Sequence, residues 1–371
     1  MTKAIFNFLI FLISLSAILY SYMRQYFSVP QEILFMFILY VPFLLVRLYN
    51  LKSHISYRQL HMMILAFLFI IIMLTSNLKN VSEVYSLFVC LISFFVGSSL
   101  NKNGLLIIYK IIYLISGLAS LLIFIDALFG VKILNIDFRF QYLPSSFIQS
   151  VFTIGSFGLI YFSNYKLLFK FVFIIALFSQ FLNFGRGSIL LSLIIIFINF
   201  FIINFYKKKY LKIFLVMFVT FISLSVFFQF LVNNGYINIR LMRLFAEASD
   251  EPRILVWRRF FDADFNIFFG GGMGFYKDIH STHPHNLFLQ LLEDSGIAGG
   301  ITFMFVVLTA LKRYLKYISK NDYIKISLFY FSVLLLYIAT AQFSGNLYYN
   351  YGLFFFIGTA FVKQYKTIKY S

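Results

Sequence analysis

The sequence predicts an all-α, polytopic membrane protein, and composition and hydropathy are the observations behind that prediction. The 371-residue chain is 61% hydrophobic and only 12% charged. Runs of about 20 apolar residues recur along its whole length, and each run is long enough to cross a bilayer. The single Cys90 excludes an internal disulfide and a multi-cysteine metal site, and we interpret it as a small packed residue. These observations exclude a water-soluble globular fold.

About twelve spans are predicted within one integral membrane domain that covers residues 1–371. The first apolar run lacks a small-residue cleavage site, so we interpret it as a retained helix. The predicted spans are 4–22, 32–49, 60–76, 84–99, 104–125, 147–163, 167–184, 187–206, 212–232, 289–311, 325–343 and 350–363.

The net charge of +18 is concentrated in connections that the positive-inside rule places in the cytoplasm. These include Lys207 to Lys209 and residues 312–324. Both termini then lie in the cytoplasm, and the long loop 233–288 lies in the periplasm. On this topology Asp322 is the only cytoplasmic acid. The excess positive charge therefore indicates orientation and attraction to anionic lipid headgroups, and it does not indicate nucleic-acid binding.

Arg186 is the first candidate site residue, because it lies between two predicted spans at the periplasmic surface. Its neighbours are Gly185 and Gly187. A guanidinium presents a planar fork of donors that suits phosphate oxygens, and flanking glycines let backbone N–H groups approach the same anion. The alternative is an arginine that extends to a lipid headgroup phosphate.

A second group of candidates opens the long loop and comprises Arg253, Trp257, Arg258 and Arg259. In a helix, Arg253 and Trp257 share a face. Three arginines at the membrane exterior suit a lipid pyrophosphate or an anionic glycan. Charge pairing with nearby acidic residues in a solvated loop is the alternative. A short amphipathic helix is predicted to begin near Arg253 and to continue over 262–269.

The end of the loop carries His283 and His285, with Asp278 and His280 just upstream. A histidine with a near-neutral pKa suits a general base, or a donor to a hydroxyl. Carboxylate and imidazole groups also permit a metal site, but their spacing here matches no recognised metal motif. We therefore predict neither a metal nor a cofactor.

Asn286 and the glycines after it have both structural and functional interpretations. Asn286 can cap a helix that starts at Leu287, or it can contact substrate. Gly296 and Gly299 can let helices pack closely. Together with the glycines around position 271, they also suit broken backbone at membrane depth, which is tolerated only where protein or a water-filled cavity covers it.

Three motifs in this order resemble the O-antigen ligase and O-antigen polymerase superfamily, a branch of the GT-C-like membrane glycosyltransferases. They are the arginine in Gly185-Arg186-Gly187, the Arg-x3-Trp pair at Arg253, and the HN-x9-G-x-x-G segment that begins at His285. The family often has Glu-x-Gly at the last motif. Here the residues are Asp294-Ser295-Gly296 with Glu293 beside them, so the acid that takes the family role is left open.

The resemblance implies a glycosyl transfer at the periplasmic leaflet of a bacterial inner membrane, from a glycan on undecaprenyl pyrophosphate. It assigns catalysis to Arg186, Arg253 and His285 without a metal, and Arg258, Arg259, Trp257, Asn286 and His283 are predicted to bind substrate. A polymerase passes the chain to a new lipid-linked repeat unit, and we favour this activity. A ligase that uses lipid A–core and a transporter of lipid-linked sugars are the alternatives. A chain-length regulator protein is a further expected partner.

Overall fold

The computed structural model describes residues 81–129, 142–182, 186–216, 218–219, 265–275, 286–319, 324–342 and 350–362, together with Leu12, Ile38 and Tyr40. The named elements of these parts are all helices, and the described residues contain no β-strand beyond one isolated bridge. The helices are α1 (Val81–Ser99), α2 (Lys102–Phe129), α3 (Tyr142–Phe162), α4 (Lys166–Leu182), α5 (Arg186–Tyr206), α6 (Leu287–Ser319), α7 (Ile324–Ala341) and α8 (Tyr351–Thr359).

Four described segments are long and apolar enough to cross a membrane. They are Lys102–Ile125, Ser188–Tyr206, Leu287–Ser319 and Ile324–Ala341. Shorter apolar segments, Glu83–Ser99 and Ser146–Phe162, lie in α1 and α3. The predicted helical membrane fold is confirmed at this level. Each described helix coincides with one predicted span, whereas predicted spans 4–22, 32–49, 60–76 and most of 212–232 lie outside the described residues.

Helix α6 continues to Ser319, eight residues past the predicted end of its span at 311, so most of the connection 312–324 is helical. Lys312, Arg313 and Lys316 therefore lie on the helix. The cytoplasmic location of this connection stays a prediction. The Arg313 guanidinium lies 4.5 Å from the centre of the Phe361 ring, a cation–π distance. One of the three charged side chains on this part of the helix thus packs on a ring from the C-terminal part of the described chain.

The most extensive helix–helix contact in the described part joins α1 to α8. Gly97 of α1 lies against the backbone of α8, and a Cβ there would meet the Phe355 carbonyl oxygen. Reciprocally, a Cβ on Gly358 would meet the Phe94 carbonyl oxygen. Small residues permit this close approach of helix backbones in a membrane. Cys90 is buried on α1, as predicted for a packed residue.

Replacing Gly358 with alanine is therefore expected to destabilise the protein by about 1–3 kcal/mol, the usual cost of overpacking a close contact. The apparent unfolding temperature in detergent, measured by fluorescence-detected size exclusion, should fall. Gly158→Ala is the matched control, since a Cβ at Gly158 would have no neighbour within 4 Å. Equal unfolding temperatures for the two variants would contradict the close packing of α1 on α8.

Candidate functional site

Asn286 forms the N-cap of α6. Its Oδ1 accepts hydrogen bonds from the backbone N–H groups of Phe288 and Leu289, at 3.0 and 3.1 Å. Its carbonyl oxygen accepts from the N–H of Gln290 at 3.0 Å. A side-chain oxygen in this position satisfies donors that the first helical turn leaves unpaired. The capping interpretation of Asn286 is confirmed, and its contact with substrate stays a prediction.

Helix α6 breaks at Gly296, where φ is 64° and ψ is −168°. This backbone region is essentially restricted to glycine. The carbonyl oxygens of Glu293 and Asp294 accept hydrogen bonds from outside the helix, from the N–H groups of Gly271 at 2.6 Å and Gly272 at 3.1 Å. The prediction of broken backbone at these glycines is confirmed.

The other side of the break is also paired with the loop segment 265–275. The N–H groups of Ile297 and Ala298 donate to the carbonyl oxygens of Ile267 and Phe268, at 2.9 and 3.1 Å. Four backbone hydrogen bonds therefore replace the helical bonds that the break removes. Broken backbone beside a membrane is stable only when its polar groups are satisfied in this way. The segment 265–275 is thus docked on α6 through backbone groups of both partners.

The predicted amphipathic helix over 262–269 is wrong for its described residues, 265–269, which form a turn. An isolated bridge pairs Asn266 with Gly270. The Asn266 Oδ1 accepts hydrogen bonds from the N–H groups of Phe268 and Phe269, at 2.9 and 3.2 Å. An asparagine that bonds to the backbone two residues on competes with helix formation. Gly270 has φ +78° and lies against the α6 backbone.

Two carboxylic acids are buried next to the break. Glu293 and Asp294 are each 0% exposed. Neither carboxyl oxygen of Glu293 has a hydrogen-bond partner in the part of the chain that the structure describes. An uncompensated buried charge is costly, so this group must take up a proton or meet a donor or cation. Both acids thus lie where the motif places an acid, and which of them takes the family role stays open.

A polar seam crosses the bundle at the end where α4 leads towards α5, and none of the sequence motifs predicts it. It comprises the hydrogen-bonded side chains of Ser146, Gln149, Ser150, Ser179, Gln180, Ser188 and Ser192. Its residues on α3 recur at intervals of three and four, which places them on one helix face. This spacing is the sequence feature from which the seam could have been predicted.

Among the predicted site residues, Arg186 and Asn286 lie within the described parts of the chain. Arg186 is the first residue of α5, and Asn286 immediately precedes α6. The other predicted residues lie outside the described residues: Arg253, Trp257, Arg258, Arg259, His283 and His285. Asp278 and His280 of the alternative metal site also lie outside them. The convergence of the three catalytic candidates stays a prediction.

These helices and the loop-covered break define a helical membrane protein with a candidate site where α6 begins. A model of the family described as O-antigen ligase matches residues 171–304. The match begins within α4 and ends within α6, and it includes Arg186, Arg253 and His285. It confirms the predicted resemblance to the O-antigen ligase and polymerase superfamily. No curated protein sequence matches the chain significantly.

Proposed function

We propose that the chain is an O-antigen polymerase that acts at the periplasmic leaflet of the bacterial inner membrane. The donor is a glycan on undecaprenyl pyrophosphate, and the acceptor is the non-reducing sugar of a new lipid-linked repeat unit. The observation that carries this proposal is the family match over 171–304, which takes in all three motifs in order.

The proposed reaction is a displacement at the anomeric carbon of the donor. An acceptor hydroxyl oxygen forms the new bond to this carbon, and the bond from the carbon to the pyrophosphate oxygen breaks. His285 receives the hydroxyl proton. Arg186 and Arg253 stabilise the negative charge on the leaving pyrophosphate, as preorganised cations do in other transfer reactions. Pyrophosphate is already a good leaving group, so this chemistry needs no metal.

Ligation to lipid A–core is the second candidate, because the matching family is described as O-antigen ligase. The two activities differ in the lipopolysaccharide that remains when the gene is deleted. Loss of a polymerase should leave lipid A–core with a single repeat unit, because the ligase remains. Loss of a ligase should leave lipid A–core without any repeat unit. We expect the single-unit product in a gel of lipopolysaccharide, and restoration of long chains by the wild-type gene.

His285→Ala is expected to lower the transfer rate by about 10²–10⁴-fold, the usual contribution of a general base. Binding of undecaprenyl pyrophosphate should be largely retained, because the arginines hold the anion. His280→Ala is the control and should have a milder effect, since His280 lies outside the motif.

Transfer by the purified protein should also continue in excess EDTA. Inhibition by EDTA that divalent ions reverse would instead favour a metal site formed by Asp278, His280, His283 and His285, and the role of His285 as general base would then be wrong.

A further inference from the structure

We propose that Gln180 is a positioning residue for Arg186, and that it acts by fixing the first turns of α5 against α3 and α4. This inference rests on the proposed role of Arg186 in holding the donor pyrophosphate. Arg186 begins α5, and glycines stand on both sides of it in the sequence. Glycine leaves the backbone unusually free, so the local sequence does not hold this arginine in one place. Tertiary contacts must supply the constraint.

The Gln180 carboxamide links three helices at this end of the bundle. Gln180 lies on α4 and is only 1% exposed. Its Nε2 donates to the Ser150 Oγ on α3 at 2.8 Å and to the Ser192 Oγ on α5 at 3.1 Å. One buried side chain thus connects the end of α4 to both neighbouring helices.

The hydrogen bonds of the two serines determine which way this carboxamide faces. The Ser192 hydroxyl donates to the Ser188 carbonyl oxygen at 2.8 Å, and the Ser150 hydroxyl donates to the Ser146 carbonyl oxygen at 2.8 Å. A hydroxyl has one hydrogen, so each serine can only accept from Gln180. The amide nitrogen must therefore face the serines. The Gln180 Oε1 faces away and has no hydrogen-bond partner in the described part of the chain.

The same set of contacts reaches the turn that carries Arg186. Ser188 follows Arg186 by two residues, and its hydroxyl donates to the Ser146 Oγ at 2.7 Å. The Ser188 carbonyl oxygen also lies 3.3 Å from the Ser150 Oγ. The start of α5 is thereby held on α3 through Ser188 and on α4 through Ser192. Since a misplacement of about 1 Å can cost 10²-fold in a transfer reaction, this constraint matters for the proposed role of Arg186.

The test is binding of undecaprenyl pyrophosphate to the full chain in lipid nanodiscs. Gln180→Met keeps the length of the side chain and removes both donations. Loss of a single interhelical hydrogen bond in a membrane changes the equilibrium constant for helix association by about threefold on average and by roughly twentyfold at most. Gln180 makes two, and in Gln180→Met the free energy that holds the start of α5 in place has to come from ligand binding, so we expect the Kd to rise by about tenfold. The fraction of correctly folded protein is measured in parallel, so that a loss of sites is not mistaken for a loss of affinity.

Asn199→Leu is the matched control. Asn199 lies on the same helix, and its Oδ1 accepts a hydrogen bond from the Ser332 Oγ on α7 at 2.9 Å. The substitution removes an interhelical bond of α5 far from Arg186, and the Kd should stay within about twofold, well below the tenfold change expected at Gln180. Equal Kd values for Gln180→Met and Asn199→Leu overturn the proposal.

Two further variants separate positioning from packing. Ser192→Ala removes one acceptor without adding volume and should raise the Kd, whereas Ser192→Thr keeps the hydroxyl and should bind like the wild-type protein.

In an Arg186→Lys background, Gln180→Met should raise the Kd by less than about a further twofold, because the effects of coupled residues are not additive. Full additivity overturns the proposal. If Arg186→Ala itself leaves the Kd unchanged, the proposed role of Arg186 in holding the donor fails, and the positioning role of Gln180 fails with it. If Arg186→Ala weakens binding and Gln180→Met does not, only the positioning role fails.

Discussion

Gly296→Ala is expected to abolish transfer and to remove most of the folded protein from the membrane. The backbone at Gly296 has φ 64° and ψ −168°, which costs about 1–3 kcal/mol for a residue with a side chain. A Cβ would also collide with the backbone of Phe268 and Phe269 in the docked segment 265–275. That collision costs about 1–3 kcal/mol more if the contact survives. If segment 265–275 instead separates from α6, the four backbone hydrogen bonds at the break are lost together.

Gly300→Ala is the matched control for Gly296→Ala. Gly300 lies one turn further along α6, and a Cβ there would make an ordinary contact at 3.4 Å with the Leu292 Cδ2. Alanine also favours the helix over glycine by about 0.5–1 kcal/mol. The measurements are the amount of monodisperse protein in detergent and the length of the polysaccharide in a complemented deletion strain. Normal amounts of both in Gly296→Ala would contradict the docking of the loop segment on α6.

The helical framework could be predicted because each span carries its own signal. A run of about 20 apolar residues specifies a helix in a bilayer without reference to its neighbours. The cap at Asn286 could be predicted for the same reason, since an asparagine before an apolar run is a local feature. The end of α6 could not be predicted from its apolar run, because the helix continues through Lys312, Arg313 and Lys316 to Ser319. Arg313 there packs on the ring of Phe361, a contact with a distant part of the chain that no local pattern indicates.

The docked loop segment shows why part of the candidate site escapes prediction. The hydrogen bonds between segment 265–275 and α6 join backbone groups. Every residue type except proline can donate such a bond, so no pattern of residue types in the sequence indicates it. Glycines marked both partners as places of close approach, but did not indicate that they meet each other. The seam around Gln180 was missed for another reason. Serine and glutamine in an apolar helix look like isolated interruptions until three helices bring their side chains together.

Arg186→Ala and Arg253→Ala are each expected to abolish long-chain polysaccharide while the protein still reaches the membrane. A charge-assisted hydrogen bond to a pyrophosphate oxygen is worth roughly 1.5–3 kcal/mol, which corresponds to about tenfold to a hundredfold for each bond lost. Arg→Lys should restore little at either position, because an ammonium cannot make the bidentate contact of a guanidinium. The measurements are the ladder of chain lengths and the Kd for undecaprenyl pyrophosphate.

Lys166→Ala controls for the loss of a positive charge at the start of a helix. Lys166 is an exposed cation that begins α4, as Arg186 begins α5, but at the opposite end of α4 from the seam. Its replacement should leave both chain length and Kd unchanged. If all three alanine variants weaken binding equally, the effect does not depend on where the lost charge lies, and a specific pyrophosphate clamp is wrong. The clamp predicts that only Arg186→Ala and Arg253→Ala lose affinity, and that added salt does not cause the same loss in the wild-type protein. That result identifies the two guanidinium groups as the ligands of the leaving group.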